Sequence, residues 1–397
     1  MASPGKILII VENLPVPFDR RVWMESTTLA AADHPVSVIC PTGKGCEQEK
    51  EVLQGIHIYR HRLPPEVSSS GGYLREYAAA LLGEFRLARR AWKETGFDVV
   101  HVCNPPDLLF LVALWFKFIH GVKLVYDHHD VVPEMYEAKF GRRGFFYWLL
   151  RIAERLTYLA ADMVIETNES HRRIALSRGK KKPDRVFVIR SGPDLSKFVP
   201  QEPVAELKRG KKHLVGYMGV MGEPEGIDLL LESIRRIVFD KGRRDIHFVL
   251  VGSGPLAEDM KKLAADLKLS EFVEFTGRIP DAEMIRVLST CDVCVNPDRK
   301  TPYNDLCTMN KILEYMALGK PIVQYDLVEG RFSAEGASLY ARGNDAADFA
   351  DKVLELINDP AMRDRLGREG RARMEDALEW RHQAPRLLEA YARLLAD

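Results

Sequence analysis

Short, β-branched apolar runs alternate with helix-spaced runs along this chain, and the alternation starts twice. The first series is KILIIVEN (Lys6–Asn13), VSVICP (Val36–Pro41), DVVHVCNP (Asp98–Pro105), KLVYDHHD (Lys123–Asp130), DMVIETNES (Asp162–Ser170) and RVFVIRSG (Arg185–Gly192). Between the first two lies RRVWMESTTLAAA (Arg20–Ala32), with helical spacing. Nearly continuous apolar strands joined through helices specify a parallel sheet covered on both faces. A polar, basic stretch from Pro200 to Lys212 follows, and the pattern then restarts with HLVGYMGV (His213–Val220), IHFVLVGSGP (Ile246–Pro255), FVEFTGRI (Phe272–Ile279), VCVNP (Val293–Pro297) and PIVQYD (Pro321–Asp326). The expected organisation is two doubly wound, Rossmann-like α/β domains over 1–198 and 213–378, a linker over 199–212 and an amphipathic C-terminal helix over 379–397. Two such sheets facing each other would bind ligand at the carboxyl ends of their strands, so the loops after the strands are where chemistry is sought.

Composition narrows the function classes. The chain has 397 residues, 46% of them hydrophobic and 29% charged, which excludes a disordered or collagen-like chain. Lys+Arg and Asp+Glu both number 57, which argues against a generic nucleic-acid binder. Residues 1–195 carry 27 basic and 23 acidic side chains, a net of +4. The apolar stretch from Leu108 to Gly121 is broken by Lys117 and His120 and is shorter than the roughly 20 residues a bilayer span needs. The start of the chain runs straight into a strand, with no expected signal peptide. The six cysteines are too sparse for a disulfide scaffold, which suggests a reducing compartment. Cys291 and Cys294 form a lone CxxC with no second pair or His cluster and read as a buried, inert pair.

The clearest candidate site is TPYNDLCTMNKILEYMALGKPIV, Thr301–Val323. It reads as loop, helix, stop and strand, with Asp305 or Thr308 as the expected helix cap. A helix N-terminus offers free amides and a partial positive charge, which suits phosphate. Lys311 and Glu314 lie three apart and Asn310 and Glu314 four apart, so they share a face. A pyrophosphate could meet Lys311 and the amides, with Glu314 reaching ribose hydroxyls. The competing reading is a surface helix with an internal Lys–Glu pair.

Three further loops carry candidates. YDHHDVVPEMY (Tyr126–Tyr136) crowds His128, His129, Asp130 and Glu134 at a strand end. Strand alternation lets only one His face a ligand, and no metal-site spacing is apparent. ENLPVPFDRRVW (Glu12–Trp23) places Arg20 and Arg21 at a helix start. Either could clamp phosphate, or one could pair with Asp19 or Glu25. GYMGVMGEPEGID (Gly216–Asp228) contains Gly219 and Gly222, which would let backbone approach a ligand closely. VGSGP carries only part of a GxGxxG, so NAD is not expected, and no GxSxG elbow, Walker A loop or zinc-protease motif occurs.

Taken together, DRRVWMES, YDHHDVVPEMY, ADMVIETNESHRRIA, VIRSGPD, VLVGSGP, FTGRIP and MNKILEYMALGKPIV resemble, in order, the family 4 glycosyltransferases of GT-B fold, nearest the bacterial surface-polysaccharide type. The resemblance implies sugar transfer from a nucleotide-sugar donor, with retention of configuration and no metal or other cofactor. The donor would sit on the second domain and the acceptor on the first, and the C-terminal helix would cross back to the first. By the resemblance His129 and Glu314 are catalytic, and Lys311 is the candidate at the helix start to supply the charge of the missing clamp. Arg20, Arg21, Gly219, Gly222, Arg278, Asp305, Thr308, Met309 and Asn310 are expected to bind donor. Glu314 matches the second Glu of the family's E-x7-E motif, but Leu306 stands where the first belongs, and Asp305 or Asn304 is the nearest substitute. Val220 and Glu225 occupy the places of the usual Arg and Lys diphosphate clamp.

The expected partners are a UDP- or GDP-sugar and a glycan or polyprenyl-linked acceptor, with no nucleic acid. GRRGFFYWLLRIAERLTYLAA, from Gly141, combines arginines, aromatics and an apolar stripe. It would either lie on a membrane interface or form a core helix with a basic outer face. YLREYAAALLGEFRLARRAW, from Tyr73, is equally open. The expected location is cytoplasmic, at or near the inner membrane. The alternatives are a nucleotide-sugar epimerase of the same fold or an inactive nucleotide- or sugar-binding subunit.

Overall fold

The computed structural model describes residues 4–62 and 70–396, with side chains in the helix Ser70–Glu94 from residue 80 onward; the first part of the Tyr73 segment therefore lies outside the described side chains. The chain divides into two units. One comprises residues up to Arg190 together with the segment from His382, and the other runs from Ser191 to Arg381.

The first unit is built on an eight-stranded sheet: β1 (Ile7–Ile10), β2 (Val36–Pro41), β3 (Lys50–Leu53), β4 (Ile56–His61), β5 (Val99–Cys103), β6 (Lys123–His128), β7 (Met163–Glu166) and β8 (Val186–Val188), in the order β3-β4-β2-β1-β5-β6-β7-β8. All pairs are parallel except β3–β4. Every residue of β1, β2, β5 and β7 is buried, as expected for strands covered on both faces. The β3–β4 hairpin lies outside the strand–helix alternation; it turns at Gln54 and Gly55, both left-handed at φ 51° and 80°, a turn that matches strand twist.

The second unit has a six-stranded parallel sheet: β9 (His213–Met218), β10 (Ile246–Val251), β11 (Val273–Gly277), β12 (Val293–Asn296), β13 (Ile322–Tyr325) and β14 (Ser338–Ala341), in the order β11-β10-β9-β12-β13-β14. Alternation along its strands feeds two cores. Val215, Tyr217, Phe248, Leu250, Val293 and Val295 face one side; Leu214, Val249, Cys294 and Ile322 face the other, with Ile312 and Leu313. In both sheets the chain winds outward, returns, and continues on the other flank of its first strand. The switch points fall at β1/β5 and β9/β12, which are the places where doubly wound folds bind ligands.

Two expectations change. The unit boundary falls at Arg190/Ser191, and the polar stretch is no free spacer. Gln201 and Val204 amides donate to the hydroxyls of Ser289 and Thr290 at 3.1 and 3.0 Å, tying it into the second unit. The C-terminal helix, Trp380–Ala396, joins the first unit from His382 onward. There Tyr391 Oη lies 2.7 Å from His101 Nδ1. Cys291 and Cys294 are buried and unbridged; a Cβ on Gly216 would stand 2.4 Å from the Cys291 sulfur, so this pair fills the space beside β9.

Candidate active site

In the second unit, two glycine loops and one helix start meet at the β9/β12 switch point. Gly219, after β9, has φ 155°, and Gly252, after β10, has φ 130°; a Cβ on Gly252 would lie 1.9 Å from the Gly219 carbonyl oxygen. Backbone bonds from Gly219 to Val251 and from Met221 to Ser253 lock the loops together. Gly222 donates to Glu225 Oε2 at 3.1 Å. Gly252→Ala is expected to leave little folded protein, because backbone must move to admit the methyl, whereas Gly210→Ala, with open space around it, should cost only about 1 kcal/mol for its backbone conformation. Denaturant melts of both variants check this.

The helix Asn310–Ala317 begins beside this cradle. Tyr315 fixes it to the sheet: the Met218 amide donates to Tyr315 Oη at 2.8 Å, and that hydroxyl donates to the Val295 carbonyl at 3.3 Å. Lys311 does not pair with Glu314. Its Nζ lies 2.6 Å from Asp298 Oδ1, just past β12, and 5.2 Å from the centre of the Tyr217 ring. Asp298 is almost wholly buried; burial pushes its carboxyl up, against the pull of Lys311. Burial likewise raises Glu225, again opposed by Lys311. One cation therefore faces two reluctant carboxylates. Glu314 is buried, at 9% exposure, and Asn310 is exposed.

The expected cap is corrected. Met309 takes the cap position, with no side-chain bond, and Thr308 precedes it in the loop. Asp305 lies in a 3₁₀ turn, Asn304–Leu306, where it accepts from Lys300 Nζ at 2.6 Å and the Val328 amide at 3.0 Å. Asn304 donates to the carbonyls of Pro224 and Arg299. Both nearest substitutes for the missing Glu thus hold loops together. Arg278 is exposed next to Gly277, whose carbonyl accepts from Gly252. Val220 stands 55% exposed on the β9 loop.

In the first unit, the site forms at the end of β6. Residues 127 and 129 fall on the same side of the strand and 128 on the other. His128 is fully buried, while the His129 side chain keeps 16% exposure. His129 Nε2 lies 2.5 Å from Asp127 Oδ2, and its amide donates to Asn104 Oδ1 at 2.6 Å. Arg21 grips Asp127 with Nε at 3.1 Å and Nη2 at 2.8 Å, reaches Glu25 at 3.1 Å and donates to the Ile189 carbonyl at 2.8 Å. That corrects its expected phosphate role: the guanidinium is buried and engaged in orienting Asp127. Arg20, beside it, is exposed at the helix start. Asp127 carried no sequence role, although its i, i+2 spacing to His129 was the available signal. Glu134 pairs with Arg178 rather than with the histidines.

His128 sits behind the strand with Glu166 Oε2 and Tyr158 Oη, each 2.9 Å from Nδ1. Burial disfavours its charge, but the Glu166 carboxylate outweighs that and lifts it to about 9. A raised histidine stabilises the fold fully below its unfolded value of about 6.5, and that contribution is lost as pH rises through about 9. The melting temperature is therefore expected to fall between pH 7 and 10, with a shallower fall in His128→Gln. Among the described residues, His101/Cys103/Asp127 and His128/Glu166/His171 have cation-like spacing; Asp127 and Glu166 are already engaged by Arg21, His129 and His128.

Residues 19–197 match the family model described as Glycosyltransferase Family 4, and residues 212–359 match that described as Glycosyl transferases group 1. The chain belongs to the family 4 glycosyltransferases. This family 4 chain is 29% identical over 261 residues to a D-inositol 3-phosphate glycosyltransferase of Nocardia farcinica, covering 62% of this chain and 55% of the relative. It is 26% identical over 209 residues to a GDP-mannose-dependent monoacylated alpha-(1-6)-phosphatidylinositol monomannoside mannosyltransferase of Corynebacterium glutamicum, covering 50% and 53%. The matched stretches thus span about half the length of these relatives. An alpha-maltose-1-phosphate synthase of Mycolicibacterium smegmatis is 27% identical, over 70% of this chain and 75% of the relative. Among solved structures, a sucrose-phosphate synthase from Thermosynechococcus elongatus superposes with TM-score 0.81 at 19% identity, over 99% of both chains. Anabaena HepE in complex with UDP and glucose gives 0.73 at 15%, over 98% and 99%. These likenesses show the GT-B fold.

Proposed function

We propose that this chain is a retaining, metal-independent glycosyltransferase that moves a sugar from a nucleoside-diphosphate sugar to a glycan or polyprenyl-linked acceptor in bacterial polysaccharide biosynthesis. The observation carrying this is Lys311: a cation at a helix start, beside a cradle whose glycines bar a side chain from the space before it. Named relatives and neighbours that use GDP-mannose or hold UDP support a nucleotide-linked donor.

In this reading Gly219 and Gly222 admit the diphosphate to backbone amides, with Asn310, Thr308, Met309 and Arg278 around it. Lys311 trades Asp298 for the leaving phosphate as its charge grows. Glu314 holds the ribose. The acceptor hydroxyl attacks on the face the phosphate leaves, and that phosphate takes its proton, so no cofactor is required. His129, set by Asp127, hydrogen-bonds the sugar. A lipid-linked acceptor would put the protein in the cytoplasm, at the inner membrane face.

The neutralised Lys311, with Val220 and Glu225 in the clamp places, favours as second reading a nucleotide-binding subunit without catalysis. Melting with UDP, GDP, ADP and CMP, followed by incubation with the matching sugar nucleotides, separates the two. A ligand at 100 times its dissociation constant adds about 2.7 kcal/mol. A shift followed by sugar release or transfer supports the enzyme; a shift with no turnover under any acceptor supports the subunit; no shift with any nucleotide defeats both.

A further inference from the structure

The helix Phe145–Ala160 is inside out. Its inward face carries Tyr147, Glu154, Thr157 and Tyr158, all buried. Thr157 donates to the Asp107 carbonyl at 2.6 Å, and Glu154 is held by Arg178. Its outward face carries Phe145, Phe146, Trp148, Leu149, Ile152 and Leu156, exposed by 46–78%. A globular helix ordinarily does the reverse.

The apolar surface continues onto a neighbouring helix. Phe110–His120 contacts the first helix and exposes Leu111, Trp115, Phe118 and Ile119, with Phe118 at 79%. Lys117 Nζ bridges the two helices, donating to the Ala160 carbonyl at 2.8 Å while pairing with Asp162. Elsewhere among the described residues, exposed large apolar side chains are scattered, which needs no explanation.

Cations edge this surface. Lys139, Arg142, Arg143 and Arg155 are exposed, Arg143 pairing with Glu137 at 2.8 Å, and no acidic residue between 138 and 160 is exposed. At the far end Lys181 Nζ donates to the Tyr158 and Ala161 carbonyls. It lines a depression with Lys123, Lys180, Lys182 and Arg185, whose one acidic residue, Asp162, is paired with Lys117.

We infer that this face seats on an anionic lipid bilayer, with the Phe145–Ala160 helix lying in the plane of the headgroups. Sixteen residues are too few to span a bilayer, which takes about 20. The apolar face would enter the acyl boundary while arginine and lysine meet lipid phosphate. Two copies of the chain meeting through this face would oppose like charges, which disfavours self-association. The inference deepens the membrane-face location proposed above, but its test reads binding rather than transfer, so the two fail separately.

The test is co-sedimentation with vesicles of phosphatidylcholine, with and without phosphatidylglycerol. The full chain is expected to bind the anionic vesicles at least about tenfold more tightly, given the roughly fivefold gain each basic residue brings near such a surface, and to be released by salt. Phe145→Ser/Phe146→Ser/Trp148→Ser should lose binding to both vesicles while keeping its melting temperature. Arg142→Gln/Arg143→Gln/Arg155→Gln should lose only the anionic preference. Equal binding to both vesicles by the unaltered chain, no binding to either, or unchanged binding by the apolar triple variant overturns the inference. So does concentration-dependent dimerisation that the apolar triple variant abolishes without any vesicle binding, which would assign the face to a second copy.

Discussion

Lys311→Met is expected to lower turnover by about a hundred- to a thousandfold, the usual cost of removing one group that meets developing charge. The Lys311–Asp298 pair has a structural side as well, because the nearly buried Asp298 loses its partner at 2.6 Å. Its proton would then be harder to release, so the variant should meet that loss by protonating Asp298 rather than by unfolding. Asp298→Asn separates the two effects. It leaves Lys311 facing Glu225 without its nearest carboxylate, so nucleoside diphosphates should bind more tightly, although an over-anchored product can slow release. Steady-state kinetics and nucleotide melts on both variants check the pair. Near-normal turnover in Lys311→Met removes this residue from the mechanism and leaves the helix amides as the main phosphate contact.

A large stability loss, measurable in a variant that still folds, is expected from Asp127→Ala. This carboxylate takes two bonds from Arg21 and one contact from His129, with no solvent access. Removing one partner of a buried pair typically costs about 3–5 kcal/mol, here because the buried Arg21 guanidinium would lose the carboxylate that takes two of its bonds. A domain of this size loses about 2–4 °C per kcal/mol, so the first unit should melt roughly ten degrees early. The pH dependence has a definite sign. Burial opposes ionisation of Asp127, but the charges of Arg21 and His129 prevail and hold it well below the usual carboxylate range. Its stabilisation is present above the unfolded value of about 3.9 and is lost as pH falls through the lower folded value. The acid limb of the melting profile should be shallower in Asp127→Asn. An unchanged acid limb would show that other carboxylates govern it.

The sheets were legible because their strands are buried on both faces, and β-branched runs such as Ile7–Ile10 leave few other places to go. The β3–β4 hairpin was not, since its outer strand alternates exposed and half-buried positions and resembles loop in a helix-and-strand search. At the sites, local spacing told which side chains share an element but not which partner crosses to them. Lys311 looked ready to pair with Glu314, three residues on, and is instead held by Asp298, thirteen residues back on another loop. Arg21 reads as a phosphate clamp or a partner of Asp19 or Glu25; the Glu25 pair forms, and only the fold brings Asp127, 106 residues away, against it. Asp305 and Asn304 carry the polar groups nearest Leu306, where the family's first Glu belongs, yet loop closure consumes them.

The contact between Tyr391 and His101 joins residues 290 positions apart within one unit. On the ribosome, the strands of the first unit emerge early, but the helix that covers His101 emerges only after the second unit. The second unit, continuous in sequence from Ser191 to Arg381, has all its parts first. The order of completion therefore runs opposite to the order of synthesis, and the half made first must wait, partly open, for the half made second.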